Sequence, residues 1–316
     1  MRYPEKRFLR TIRGLFFALI SATAVVVLPG TASADLILNA EVGAVMEDNI
    51  VGLLTGNTNV SANGGSMAGA SAMQAGGPGT GMGGGSRGGT GGLPAGAGTS
   101  LIYTGAGSSS LSDISLYARG ELGWRTGGAD ALSFYVKGFA KRTDYQTYSF
   151  YDQSAAGASA GVDARLGAVL SLRLAILDTI RRYDNDPDRD STTQTGIARL
   201  RQRLPGSLGL SETAEYETSR ASLSDFNYRG PNLRVGADWG LGDHVIATGG
   251  LGFRSQQYQD QDRTVLRTRT ASLGLFYELS RSWSTGLTYD RDVAQTGTTG
   301  LVTRDNIFSL FLRYDL

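Results

Sequence analysis

The sequence predicts an all-β fold: a transmembrane, antiparallel, up-and-down β-barrel of about twelve strands. Three observations carry this. Apolar residues alternate with polar, charged or glycine residues over stretches near ten residues, the period of a strand with two unlike faces. Beyond the first 34 residues no run of about 18 apolar residues occurs, so no transmembrane helix is expected. The polar face holds opposite charges and glycine, and the apolar face carries aromatics near strand ends, as in a barrel that is apolar outside and polar inside. Closure also satisfies every backbone group in lipid, because a barrel has no edge.

Composition narrows the chemistry. The chain has 316 residues, with no cysteine and a single histidine. Disulfides, thiolate metal sites, iron–sulfur clusters and multi-histidine metal sites are therefore excluded, and no cofactor is expected. Glycine is abundant at 45 residues, and 18 of these fall within 64–107.

The first element, residues 1–34, reads as a secretory signal peptide. Arg2, Lys6, Arg7, Arg10 and Arg13 make a basic start, Leu15 to Leu28 is a run of apolar and small residues, and Ala32-Ser33-Ala34 is a small-x-small cleavage site. At 14 residues the run is too short to span a bilayer comfortably, since about 20 are needed. The leader takes five of the 30 basic residues and one of the 29 acidic ones, leaving 25 and 28, net −3. That balance argues against nucleic acid as a partner.

The remaining chain, 35–316, is one barrel. Strands are expected near 36–48, 113–126, 131–146, 157–170, 172–183, 193–204, 207–219, 229–240, 244–259, 264–280, 282–294 and 303–316. Between the first two lies a Gly-rich stretch, 51–112, expected as a long external loop; glycine, alanine, serine and threonine bury too little surface to fold alone. Its Gly79-x-Gly81-x-x-Gly84 matches a dinucleotide fingerprint on paper, but it follows no strand and opens no helix. Connections alternate between tight ones (127–130, the Leu170-Ser171 step, Pro205-Gly206, 240–243, 280–282) and longer polar ones (the Gly-rich stretch, 147–156, 184–192, 220–228, 260–263, 295–302). Short turns belong at the periplasmic end and longer loops outside. Trp124, Trp239 and Trp283 all lie beside tight turns, at the expected periplasmic interface.

The last strand alternates most cleanly, with Phe308, Leu310, Leu312, Tyr314 and Leu316 on one face and Phe311 as an apolar exception on the other. Here the chain resembles bacterial outer-membrane β-barrel proteins of the porin-like kind. The resemblance implies that these five residues form the signal read by the barrel-assembly machinery, although Leu316 stands where a terminal Phe is usual. It also implies residence in the outer membrane, in contact with its lipid and lipopolysaccharide.

Strict alternation turns many charges inward. Arg119, Glu121, Arg125, Lys137 and Arg165 line the expected lumen on the early strands. Arg199, Arg201 and Arg203 form a ladder, with Glu215 and Glu217 on the next strand at about matching depth. Arg234, Asp238, Glu278 and Arg313 complete the set. Such charges either pair across strands and close the barrel or line a narrow channel favouring anions. Asp178 and Glu212 fall on the lipid face unless a β-bulge re-aims them. Asp184, Asp186, Asp188 and Asp190 alternate in one outer loop and are a weak candidate for a hard cation; the glycine that bends a calcium loop is missing and Pro187 sits inside.

The expected function is a passive channel for small polar solutes, anions included. The alternative is a non-conducting barrel serving as envelope scaffold or as part of an export or electron-transfer assembly. An outer-membrane lipid hydrolase is a distant third: such chemistry wants a base near the headgroups, and the only histidine, His244, lies by a tight turn with no serine in a nucleophile setting beside it. No enzyme activity is expected.

Overall fold

In the computed structural model the described residues are 34–48, 112–126, 132–259, 264–297 and 302–316. The signal peptide apart from Ala34, nearly all of the Gly-rich stretch, the 127–130 turn and the tips at 260–263 and 298–301 lie outside them. Twelve antiparallel strands close into one barrel, each bonded to its neighbours in sequence, with the last bonded to the first. They are β1 (Ala34–Glu47), β2 (Asp113–Thr126), β3 (Leu132–Tyr145), β4 (Gln153–Arg165), β5 (Leu170–Tyr183), β6 (Ser191–Leu204), β7 (Leu208–Ala221), β8 (Tyr228–Gly240), β9 (Val245–Tyr258), β10 (Val265–Glu278), β11 (Trp283–Thr296) and β12 (Val302–Asp315). No helix among the described residues is long and apolar enough to cross a membrane, which leaves crossing to the strands.

Burial follows the alternation. On β5, Ala175, Leu177, Thr179, Arg181 and Tyr183 are buried, while Leu174, Ile176 and Ile180 are exposed. Exposed leucines and valines such as Val235, Leu251, Leu273, Leu287 and Leu310 ring the outside at mid-height. An exposed apolar surface of this extent is unstable in water and requires lipid. At the end holding Ala34 and Asp315, Trp283 packs on Tyr314 with ring centroids 5.2 Å apart, and Trp124 and Trp239 lie at the same level. These three tryptophans form the interfacial belt expected at the periplasmic end.

The described turns show why the chain reverses where it does. Between β6 and β7, Gly206 and Ser207 both take positive φ, 78° and 62°, so the reversal uses three residues and pairs Leu204 with Leu208. Between β4 and β5 the reversal is at 166–169, with Gly167 at φ 89°. This corrects the expected Leu170-Ser171 step and moves β4 about four residues earlier than expected. The outward face of β4 is Ser154, Ala156, Ala158, Ala160, Val162 and Ala164, which gives weak contrast; the turn itself holds Leu166 and Val169, which look like strand.

Three outer loops share one design. Each contains a single turn of 3-10 helix, at Ser149–Tyr151, Pro187–Arg189 and Ser224–Phe226. Each is closed by the side chain that follows. Asp152 Oδ1 accepts from the Tyr145 N–H at 2.7 Å, Asp190 Oδ1 from Tyr183 at 2.7 Å, and Asn227 Oδ1 from Ala221 at 2.6 Å. The loops are also laced to one another through their backbones. Asp184 donates to the Asp152 carbonyl at 3.0 Å, Ser222 to Asp190 at 2.8 Å and Gln259 to Asn227 at 2.9 Å.

Asp178 and Glu212 are not re-aimed. Both are exposed and in unbroken register, Asp178 opposite Gln194 and Glu212 opposite Val235.

Candidate functional site

The candidate site is the barrel interior. One side of it, built by β1, β2 and β9 to β12, is packed with Val45, Tyr117, Ile246, Phe276, Ile307 and Phe311. Phe276 and Phe311 meet at 5.6 Å between ring centroids, so the apolar exception on β12 has an inward partner. Their rings lie against Gly286, where an added Cβ would stand 2.5 Å from Phe311 and 2.9 Å from Phe276. Tyr117 likewise covers Gly43. The glycine removes the wall's own side chain, so the ring lies flat along the wall.

The rest of the interior is polar. Lys137 Nζ donates to Glu121 Oε1 at 2.8 Å, and Arg119 reaches Oε2 of the same carboxylate at 3.2 Å. Asp163 on β4 holds two arginines: Arg125 at 2.6 Å and Arg173 at 2.7 Å through Nη2, with a second bond from Arg173 Nε. Arg173 is the direct cross-strand partner of Arg199. Like charges placed opposite destabilise a sheet, and Asp163 offsets that repulsion. Arg199 donates through Nε to Thr213 Oγ1 at 3.1 Å and makes no ion pair among the described residues. Arg201 lies 3.5 Å from Asp238, and Arg203 is exposed at the periplasmic end. Arg313 pairs with Asp315. Arg165 and Glu278 close β4 and β10 at the same rim.

The glutamates on β7 lie elsewhere than expected. The three-residue turn sets Arg199 against Thr213, Arg201 against Ser211 and Arg203 against Gly209; Glu215 faces Ile197 and Glu217 faces Thr195. Both carboxylates therefore stand nearer the extracellular end than the arginine ladder. Glu215 accepts from Asn232 Nδ2 at 2.7 Å with Arg234 at 3.5 Å, while Glu217 pairs with Arg254 of β9. Arg254 escaped the sequence reading as a pairing partner because its role depends on register across two hairpins.

Near the extracellular end the interior turns acidic on another wall. Glu47, 1 % exposed, has no hydrogen-bond partner for either oxygen among the described residues and lies near Asp305, Asp113, Lys141 and Asp292. Lys141 stacks over Tyr117 at 4.9 Å. Asp113 accepts backbone N–H groups from Ile114, Thr147 and Tyr148.

The four loop aspartates do not converge. Asp184 takes both guanidinium nitrogens of Arg142, at 2.8 and 2.6 Å; Asp190 closes its loop and meets Arg182 at 3.2 Å; Asp186 lies 3.9 Å from Arg189. Burial pushes the Asp186 carboxyl above the ordinary range, against the opposing pull of Arg189. Among the described residues no group of three or more His, Cys, Asp or Glu side chains is placed to hold a metal. Arg189 is instead sandwiched between Tyr151 and Tyr183, at 5.1 and 4.9 Å. His244 lies in the β8–β9 turn, its ring 6.2 Å from that of Tyr277.

No protein-family model matches the chain, and no curated protein matches it. Among solved structures it is similar to an outer-membrane channel from Pseudomonas putida F1, with 11% identity, a TM-score of 0.56, and coverage of 92% of this chain and 100% of that one. It is also similar to the outer-membrane channel DcaP of Acinetobacter baumannii, with 11% identity, a TM-score of 0.41, and coverage of 92% and 100%. A third is the KdgM porin in complex with disordered oligogalacturonate, with 11% identity, a TM-score of 0.42, and coverage of 63% and 94%. The Pseudomonas likeness supports the fold, that of a bacterial outer-membrane barrel.

Proposed function

We propose that the protein is a passive outer-membrane channel for small polar solutes, with a contact zone for anionic groups on β5 and β6. One observation carries the reading: several inward arginines on β6 and β8 remain wetted. The side chains of Arg201 and Arg234 are 20% and 24% accessible, and Arg203 is exposed. A dry, load-carrying plug buries and pairs such groups fully. Anion contact rests on Arg173, Arg199, Arg201 and Arg203, which crowd two adjacent strands. The acidic group around Glu47 occupies another wall and another height, so a solute meets opposite charge in sequence along its path.

A second reading, a closed barrel serving as scaffold or assembly partner, is favoured by the aromatic packing around Phe276 and Phe311, which fills one side of the interior. Planar-bilayer recording of the folded protein separates the two. Discrete conductance is expected; its absence from correctly folded protein rejects the channel. Under a salt gradient, replacing Arg199, Arg201 and Arg203 together by alanine should shift the reversal potential toward cations. An unchanged potential rejects the arginine wall as the anion contact.

A further inference from the structure

The outer wall carries a second charge pattern, distinct from the lumen. At outward positions of β7, β8, β10 and β11, Arg220, Arg229, Arg267, Arg269 and Arg291 are all exposed and form no ion pair among the described residues. Every one lies within about two turns of pleat of the extracellular strand ends. Arg220 is one residue from the end of β7 and Arg229 one from the start of β8; Arg267 and Arg269 follow the start of β10, and Arg291 precedes the end of β11. The periplasmic portion of the same outer face contains no lysine or arginine among the described strand residues. Outward carboxylates are few: Asp144, held by Arg142; Asp48, which accepts from Asn306 opposite Arg291; and the isolated Asp178 and Glu212.

Three of these cations gather with Arg304 on three strands. Arg269 of β10 and Arg304 of β12 both lie opposite Val293 of β11, one on each side, and Arg291 is the next outward residue below Val293. Adjacent strands are about 4.8 Å apart, so Arg269 and Arg304 stand about 10 Å from each other with Arg291 between them. Arg267 flanks the cluster from above, opposite Gln295.

Arg267, Arg269 and Arg291, like charges on a lipid-facing wall, repel one another and resist desolvation. They are stable there when anions of the surrounding medium complete them. The choice of arginine points to phosphate, because the planar guanidinium matches it through two parallel bonds. Height decides which medium. Strands of 14 residues rise about 46 Å along their length, or about 35 Å at a tilt near 40°, against an apolar band about 25 Å tall. The excess lies above Leu273 and Leu251, where the arginines are, at the headgroups of the outer leaflet.

We propose that this face binds the phosphorylated sugar headgroup of outer-leaflet lipopolysaccharide directly, centred on Arg267, Arg269 and Arg291, with Arg304 at its edge. The contact is made by guanidinium to phosphate and needs no bridging divalent ion.

Native mass spectrometry of the full folded protein tests this, using diphosphorylated lipid A as probe with EDTA present throughout. Parallel arms use fully dephosphorylated lipid A, phosphatidylglycerol and free inorganic phosphate as competitor. Wild-type protein is expected to retain diphosphorylated lipid A. The combined variant Arg267→Gln, Arg269→Gln, Arg291→Gln is expected to retain it at least tenfold less. Dephosphorylated lipid A should not be retained, and millimolar inorganic phosphate should not displace the lipid. Equal retention by variant and wild type overturns the proposal. So does equal retention of dephosphorylated lipid A, a preference for phosphatidylglycerol, or loss of all binding in EDTA. If the triple variant does not fold, Arg269→Gln and Arg291→Gln singly carry the test with about threefold losses, and unchanged retention in both overturns it.

Discussion

Asp163→Asn is the most informative single change in the interior. The substitution keeps the shape of the side chain and one acceptor oxygen but removes the charge that joins Arg125 to Arg173. The arginine side chains are 6% and 14% accessible and the carboxylate 20%, so the site is largely but not wholly desolvated. Removing one partner of a fully buried pair costs about 3–5 kcal/mol. Partial wetting and the retained oxygen reduce this, and about 2 kcal/mol of lost stability is expected. The charge effect adds to selectivity. Arg173 and Arg199 are direct cross-strand partners, and without Asp163 their repulsion is no longer offset. Two unit charges about 4 Å apart interact by about 4 kcal/mol at an effective dielectric near 20, which is ample to redirect a passing ion. Denaturant titration in lipid vesicles, followed by tryptophan fluorescence, reads the stability. Reversal potential under a salt gradient reads the selectivity, which should move toward anions. Asp163→Glu should restore most of both. Stability within about 0.5 kcal/mol of wild type, together with an unmoved reversal potential, refutes the assigned role of Asp163.

Other expectations follow from the wall and the loops. Gly286→Ala places a methyl 2.5 Å from the Phe311 ring, and overpacking of this kind costs about 1–3 kcal/mol, readable in the same titration. Gly196→Ala, with nothing within 4 Å of the added atom, serves as its control and should unfold near the wild-type midpoint. Leu310→Arg, at mid-height on the lipid face, should cost about 2–4 kcal/mol, whereas Val265→Arg at the extracellular strand end should cost about 0–1; equal penalties would misplace the membrane. Asp190→Ala removes the acceptor of the Tyr183 N–H and should cost about 1 kcal/mol, seen as faster proteolysis of the 184–190 loop.

Much of the barrel was legible because lipid enforces strict alternation. β2 was bounded correctly to the residue, and eleven of the twelve strands lie within about two residues of expectation. β4 was displaced because alanine gives little contrast between faces and its turn is apolar. Depth along the wall was harder to read. The pairing of Leu204 with Leu208 sets Glu215 and Glu217 against Ile197 and Thr195, beyond the arginine ladder, where they find Arg234 and Arg254 instead. Sequence alone carries alternation but not register, and charge pairing depends on register. The outward arginines were visible as letters, but their common height emerges only once all strands are aligned. The apparent acidic motif in the outer loop dissolved for the same reason, since Asp184, Asp186 and Asp190 each meet a different arginine.

The laced outer loops change where the passage begins. Backbone bonds from Asp184, Ser222 and Gln259 to the preceding loop repeat, beyond the strand ends, the ladder of the sheet itself. These amides should exchange with deuterium as slowly as those of the upper strands, and the wall stays stiff past the lipid surface. In the proposed channel, the described wall from β3 to β9 forms a stiff collar that a solute would meet before it reaches the depth of the bilayer. Between β3 and β9, opening and closing by swinging of these loops is disfavoured, and any rate limit on entry there is set by the fixed width of the collar.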